Sequence, residues 1–202
     1  SAAFCGAGYN AQQQRLFRGY SMKNTHLFTR TSVLAALVST CLLAACQSND
    51  DRGQPMQTVA SVDLQRYQGT WHEVAMIPNR FQSQCVANTT ARYTQRDGYI
   101  EVLNSCSTKD GKTDQATGKA SVVEGSQNTK LKVSFFWPFS GNYWVLALDP
   151  DYRWAVVGEP SRQYGWVLAR DKQLSEQDWQ KVWAAVTSAG YQTSQFRKTE
   201  QS

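Results

Sequence analysis

The sequence has no apolar run long enough to cross a bilayer. The one candidate, Val33–Ala45, is 13 residues long, where a spanning helix needs roughly 20. Histidine is scarce as well: there are two in 202 residues, and His72 is the only one beyond residue 45. No His/Cys/Asp/Glu cluster has metal-ligand spacing, and no nucleophile can be set beside a base, so hydrolytic and metal chemistry find no obvious residues. Acidic residues are missing from the first 45 positions, which hold Arg15, Arg18, Lys23 and Arg30. Most of the formal charge of +5 therefore sits there, and residues 46–202 carry 17 basic against 16 acidic groups. Without a basic patch, a nucleic-acid partner is not expected.

What is present at the N-terminus reads as an address. "MKNTHLFTR" (22–30) supplies positive charge, the short apolar stretch follows, and small residues close it. That order is a secretory signal peptide. The ending "LAAC", Leu43–Cys46, is more specific and resembles the lipobox of bacterial lipoproteins. The resemblance implies that the Cys46 thiol takes a diacylglycerol, that cleavage falls before it, and that the new amine is acylated, for instance by palmitate. An ordinary signal peptide with an incidental cysteine, or a buried helix, is the alternative. Residues 1–21 precede a plausible start at Met22 and show no periodicity; they read as an upstream extension outside the fold. The expected organisation is 1–21 extension, 22–45 signal peptide, 46–60 polar tether and 61–202 domain.

Cysteine usage agrees with export. Beyond Cys5, Cys41 and Cys46, only Cys85 and Cys106 remain. An even pair in an exported chain suggests a disulfide, with two free buried thiols as the other reading. A loop of this size gives about 3 kcal/mol in the chain-entropy account.

From Thr70 onward, short β-rich runs alternate with turn signals. The pattern predicts strands over 70–77, 86–95, 99–106, 119–125, 129–137, 142–149, 152–158 and 164–170. Strand following strand with little helix between argues for an antiparallel meander, and eight strands suffice to close a barrel. One helix stands out near the end. Ser175 is its N-cap, and Asp178 takes the place of the usual Glu in a capping box. Trp179, Val182, Trp183 and Val186 form one apolar stripe, and Gly190 suits the position after the C-cap. The stripe is expected to pack on the outside of the barrel.

Three motifs now fall in order. Gly69-Thr70-Trp71 is a G-x-W at the head of the first strand, "ALDPDYRWAVV" (147–157) carries Asp149 and Tyr152, and Arg170 closes "YGWVLAR". Together with eight strands and one late helix, they resemble the lipocalin family, and within it the lipid-anchored bacterial members. The resemblance implies an all-β fold: an eight-stranded antiparallel up-and-down barrel with one C-terminal α-helix packed outside. It also implies that Trp71 plugs the closed end and that Arg170 lies across its face as a cation–π contact, capping nearby carbonyls. These are structural roles, not catalytic ones. His72 stands where the family commonly has Tyr, and alternation turns it outward.

The same alternation, guided by the resemblance, gives candidate ligand-facing residues. On the first strand they are Glu73 and Ala75, the latter leaving room. Further along they are Tyr93, Asn104, Val133, Phe135, Tyr143, Tyr164 and Trp166. Such a lining suits a small hydrophobic ligand, although each aromatic equally suits ordinary core packing. "FFWPFSG" (135–141) places Trp137 in an apolar turn at a barrel end, a feature that marks contact with ligand, membrane or a second subunit.

The resemblance thus implies a carrier or store for a fatty acid or lysophospholipid at the outer membrane. It would be anchored through lipidated Cys46, with the domain facing the periplasm and no cofactor or metal. It allows a homodimer without specifying one. Two other classes stay open. One is an envelope module whose helix or rim binds a protein. The other is an enzyme built on Glu73, whose pKa burial would raise, although one carboxylate is not a mechanism.

Overall fold

The computed structural model describes residues 55–202. The predicted signal peptide, Cys46 and most of the tether lie outside them. A short helix, α1 (Leu64–Tyr67), opens the fold, with the Asp63 carboxylate accepting from the backbone N–H groups of Gln65 and Arg66. Eight strands follow: β1 (Gly69–Met76), β2 (Cys85–Arg96), β3 (Tyr99–Thr108), β4 (Thr113–Val122), β5 (Lys130–Phe136), β6 (Phe139–Leu148), β7 (Trp154–Gly158) and β8 (Gly165–Ala169). Each pairs antiparallel with the next, and β1 pairs with both β8 and β2, so the sheet closes into a barrel. The helix α2 (Glu176–Ser188) comes after, then a two-residue strand, β9 (Arg197–Lys198).

The eight predicted strands are all present, with shifted ends. The fourth begins at Thr113 rather than 119, because β3 continues as a ladder to Ser107↔Thr113 through a polar stretch with no apolar alternation. The seventh begins at Trp154 because Tyr152 has a left-handed φ of 61° and belongs to the preceding turn. Neither α1 nor β9 was legible in the pattern.

Two cores result. Inside the barrel, Trp71, Ala91, Tyr93, Ile100, Val102, Ala120, Leu131, Val145, Ala155, Val157 and Leu168 pack with Tyr67 of α1. Outside it, α2 lays Trp179, Val182 and Val186 on Val74, Ala75, Trp154, Val156, Val167 and Ala169. Full burial of such side chains contributes about 1.5–3 kcal/mol each. The helix starts where expected, with the Asp178 N–H donating to Ser175 Oγ. The Asp178 carboxylate does not close a capping box; it accepts from the Ser175 hydroxyl and from Arg153.

Two β-bulges thicken the outer core. In β1 the register against β8 shifts between Glu73 and Ala75, and in β6 the register against β7 shifts between Val145 and Ala147. A bulge puts one extra residue on one face. Val74 and Ala75 therefore both turn toward α2, as do Leu146 and Ala147.

The C-terminus completes the wall. The β1–β2 ladder stops at His72↔Thr90, and β9 takes over the freed edge of β1 at Ala75 and Met76. Beyond β9, Gln201 Nε2 donates to the carbonyls of Glu73 and Thr89, which stitches the two diverging strands together.

Candidate functional site: the barrel interior

One end of the barrel is closed. Trp71 is fully buried there and donates from Nε1 to the Tyr67 carbonyl at 2.8 Å. The Arg170 guanidinium stands 4.0 Å from the Trp71 ring centroid and donates to the carbonyls of Thr70 (2.9 Å) and Arg66 (2.7 Å). Gly69, at φ 90°, turns the chain between α1 and β1 in a conformation that only glycine adopts readily. The second motif lies at the same end. Buried Asp149 accepts from the N–H groups of Asp151 and Arg153 and from the Arg153 guanidinium. The Tyr152 hydroxyl accepts from the Asp63 N–H, tying the β6–β7 turn to α1.

Above this floor lies a hydroxyl cluster. Tyr143 Oη is 2.8 Å from Tyr67 Oη and 2.9 Å from Tyr93 Oη. Burial, followed by the neighbouring phenols, pushes the Tyr143 pKa well up, and burial raises those of Tyr67 and Tyr93, so all three stay protonated at neutral pH. Tyr67 escaped the sequence reading because α1 did.

Higher up, Val133, Phe135 and Trp166 pack against the interior cluster while remaining only half-buried. Asn104, paired with Ala91, shares its inward face and is also half-buried. Phe135 fits because Gly118 faces it across the ladder; a Cβ there would come within 2.8 Å of the ring.

Glu73 pairs with inward-facing Leu168 and is buried. Its carboxylate accepts from Gln82 Nε2 (2.7 Å) and from the Thr199 hydroxyl (2.6 Å). Burial raises its pKa, and the two hydrogen bonds and the charge of Arg197 oppose that rise. Gln82 belongs to the loop after β1, and its Oε1 accepts from Trp166 Nε1. Glu73 thus fastens both that loop and the C-terminal tail to the wall.

Ala75 is the clear departure from the expected lining. It lies in the outer core under α2, because the β1 bulge breaks the alternation that would have turned it inward. Buried Met76, paired with Trp166, takes its place, and nothing in the pattern marks it. Tyr164 stacks on Trp166 (6.3 Å, 13°) and meets Phe81 at 5.5 Å, at the mouth. Trp137 points away from the interior: it is 92% exposed at the β5–β6 tip, between Phe136 (77%) and Phe139 (76%). Outward-facing His72 lies beside Gln201, with Nδ1 3.3 Å from its Oε1. Cys85 and Cys106 are joined, tying β2 to β3 near the open end. Among the described residues no group of His, Cys, Asp and Glu could hold a metal ion.

A closed antiparallel barrel, plugged at one end by Trp71 and Arg170 and lined by aromatic residues, has the calyx architecture of proteins that bind small hydrophobic molecules. The chain belongs to the lipocalins: the Lipocalin-like domain family matches residues 62–201. Temperature-induced lipocalin-1 of Arabidopsis thaliana is 38% identical over 163 residues, covering 73% of this chain and 83% of that protein. Outer membrane lipoprotein Blc of Escherichia coli K12 is 38% identical over 167 residues, covering 81% of this chain and 93% of that protein. Among solved structures, insecticyanin of Manduca sexta shares the fold with a TM-score of 0.62 at 22% identity, covering 74% of this chain and 86% of that one.

Proposed function

We propose that the protein is a lipid-binding lipoprotein of the outer membrane, holding a fatty acid or lysophospholipid in its barrel and anchored through acylated Cys46. The observation that carries this reading is the partial exposure of inward-facing Asn104, Val133, Phe135, Tyr143 and Trp166. A self-filled barrel would bury them as thoroughly as it buries Trp71, Ala155 and Val157. Each CH₂ placed against such a lining contributes about 0.8 kcal/mol. A long chain gains on the order of 10 kcal/mol before the costs of association and ordering, several kcal/mol or more, are subtracted. Micromolar, exchangeable binding follows. Phe81, Phe136, Trp137, Phe139 and Tyr164 ring the mouth as an apolar entrance.

The anchor is the lipobox-like "LAAC", a reading supported by the similarity to a relative named an outer membrane lipoprotein. A single acyl chain holds a protein only marginally and two or more hold it stably, so the domain stays at the membrane, facing the periplasm, while its cargo exchanges. Glu73 is spent on tying loop and tail to the wall, which supports carriage over catalysis.

The test is to titrate delipidated protein with palmitate and with lysophosphatidylcholine while following tryptophan fluorescence. Saturable micromolar binding is expected. Absence of saturation with both lipids overturns the reading. Labelled palmitate incorporated into the wild type and lost in Cys46→Ser supports the anchor; equal labelling of the two removes it.

A further inference from the structure

The three tyrosine hydroxyls above the barrel floor do not balance. They bring three protons, and two contacts, Tyr67–Tyr143 and Tyr143–Tyr93, use two of them. No described residue accepts the third. Tyr67 and Tyr93 are each 4% exposed, whereas Tyr143 keeps more of its surface and pairs with inward-facing Leu131. The arrangement that satisfies the buried pair has both flanking hydroxyls donating to the two lone pairs of Tyr143 Oη. Its own proton is then left without an acceptor among the described residues.

The charge below the floor has the same sign of preference. Arg170 stands behind the Trp71 ring, which packs 4.8 Å from the Tyr67 ring, and forms no ion pair with any described carboxylate. Its charge acts on Tyr67. The floor therefore offers a spare hydroxyl donor over an uncompensated cation, and no acidic group competes for either.

We infer that Tyr143 is the hub of a polar subsite at the bottom of the calyx, which takes the acceptor oxygen of a fatty-acyl head group, so that the acid is held head-down with its chain toward the mouth. This rests on the lipid-carrier reading and adds an orientation to it. A carboxylate or ester carbonyl fits, because it accepts without needing to donate. A quaternary ammonium head has nothing to accept with and meets a like charge, so a cationic amphiphile enters tail-down and leaves the hub untouched. The upper lining, Val133 and Phe135 with the Trp166 ring, then faces the alkyl chain.

The test compares two C16 amphiphiles, palmitate and hexadecyltrimethylammonium, on wild type and Tyr143→Phe. Tyr143→Phe removes the spare proton. Tyr143→Phe is expected to weaken palmitate by roughly 10- to 100-fold, the worth of a hydrogen bond to a charged acceptor. It should leave hexadecyltrimethylammonium within about threefold, since the change removes no hydrogen bond to that ligand. In wild type, the carboxyl ¹³C resonance of bound [1-¹³C]palmitate should not follow bulk pH between about 5 and 9, as expected for a head group out of water. Equal loss of both ligands in Tyr143→Phe, no loss of palmitate, or a carboxyl that titrates as in free fatty acid overturns the head-down subsite and leaves the carrier reading standing. Failure of wild type to bind either amphiphile overturns the carrier reading itself. If Tyr143→Phe does not fold, the ¹³C titration of the wild type decides alone.

Discussion

Arg153 gives the sharpest test of how the barrel holds its helix. Its guanidinium reaches buried Asp149 through Nε (3.1 Å) and Nη2 (2.9 Å), and buried Asp178 of α2 through Nη1 (3.1 Å) and Nη2 (3.2 Å). Replacing it by Met keeps the aliphatic stem and strands two carboxylates. Removing one partner of a buried pair costs about 3–5 kcal/mol. Three things reduce that here. The Arg153 side chain is 48% exposed, Asp149 keeps the Asp151 N–H, and Asp178 keeps the Ser175 hydroxyl and has Lys181 at 3.8 Å. A loss larger than that of an ordinary exposed ion pair is expected at pH 7, read as a fall of several °C in Tm for a domain of this size.

The pH dependence makes the test specific. The Ser175 hydroxyl, and after it Arg153, hold the Asp178 carboxyl below the usual range against the effect of burial. A depressed carboxyl contributes stability that is present above its unfolded pKa and lost as pH falls through the folded one. The Met variant lacks the Arg153 share, so the gap between wild type and variant should shrink as pH drops from 7 toward about 3, below the unfolded Asp value near 3.9. Urea unfolding at both pH values measures it. A loss under about 0.5 kcal/mol at pH 7, typical of an exposed ion pair, or a gap that does not change with pH, would refute the reasoning.

Other perturbations carry equally direct expectations. Glu73 titrates above its ordinary value, so the folded state binds its proton more tightly than the unfolded one, and wild-type stability should fall as pH rises from about 4.3, the unfolded Glu value, through the folded pKa. Glu73→Gln should flatten that slope in thermal scans, and an unchanged slope would assign it to another group. Cys85→Ser/Cys106→Ser opens a link of sequence separation 21 and should lower unfolding stability by about 3 kcal/mol; a loss near zero would mean that the wall holds without it. At Gly158, an added Cβ would overlap Tyr191 Oη, which donates to the Tyr164 carbonyl. Gly158→Ala should therefore cost about 1–3 kcal/mol by overpacking, and Tyr191→Phe in the same background should restore part of it.

The sequence by itself determined the class of fold, because the information there is local. Alternation at period two, turn residues and capping groups specified eight strands, the Ser175 cap and the α2 stripe that packs on the barrel. Gly69, Trp71 and Arg170 were legible for the same reason: each closed-end role depends on a residue type at a strand end. What only the tertiary structure decided depends on register. A single bulge in β1 turned Ala75 out under α2 and brought Met76 in, although each residue's own preference is satisfied on either face. The four-residue α1 is too short to show a period, yet it delivers Tyr67 to a hydroxyl cluster whose other members lie 26 and 76 positions away. The polar C-terminal tail carries no strand signal, and its Thr199 and Gln201 find Glu73 only because β1 and β2 diverge and leave backbone groups to be paired. Local chemistry wrote the barrel; what lines it came from which distant residues the closure brought together.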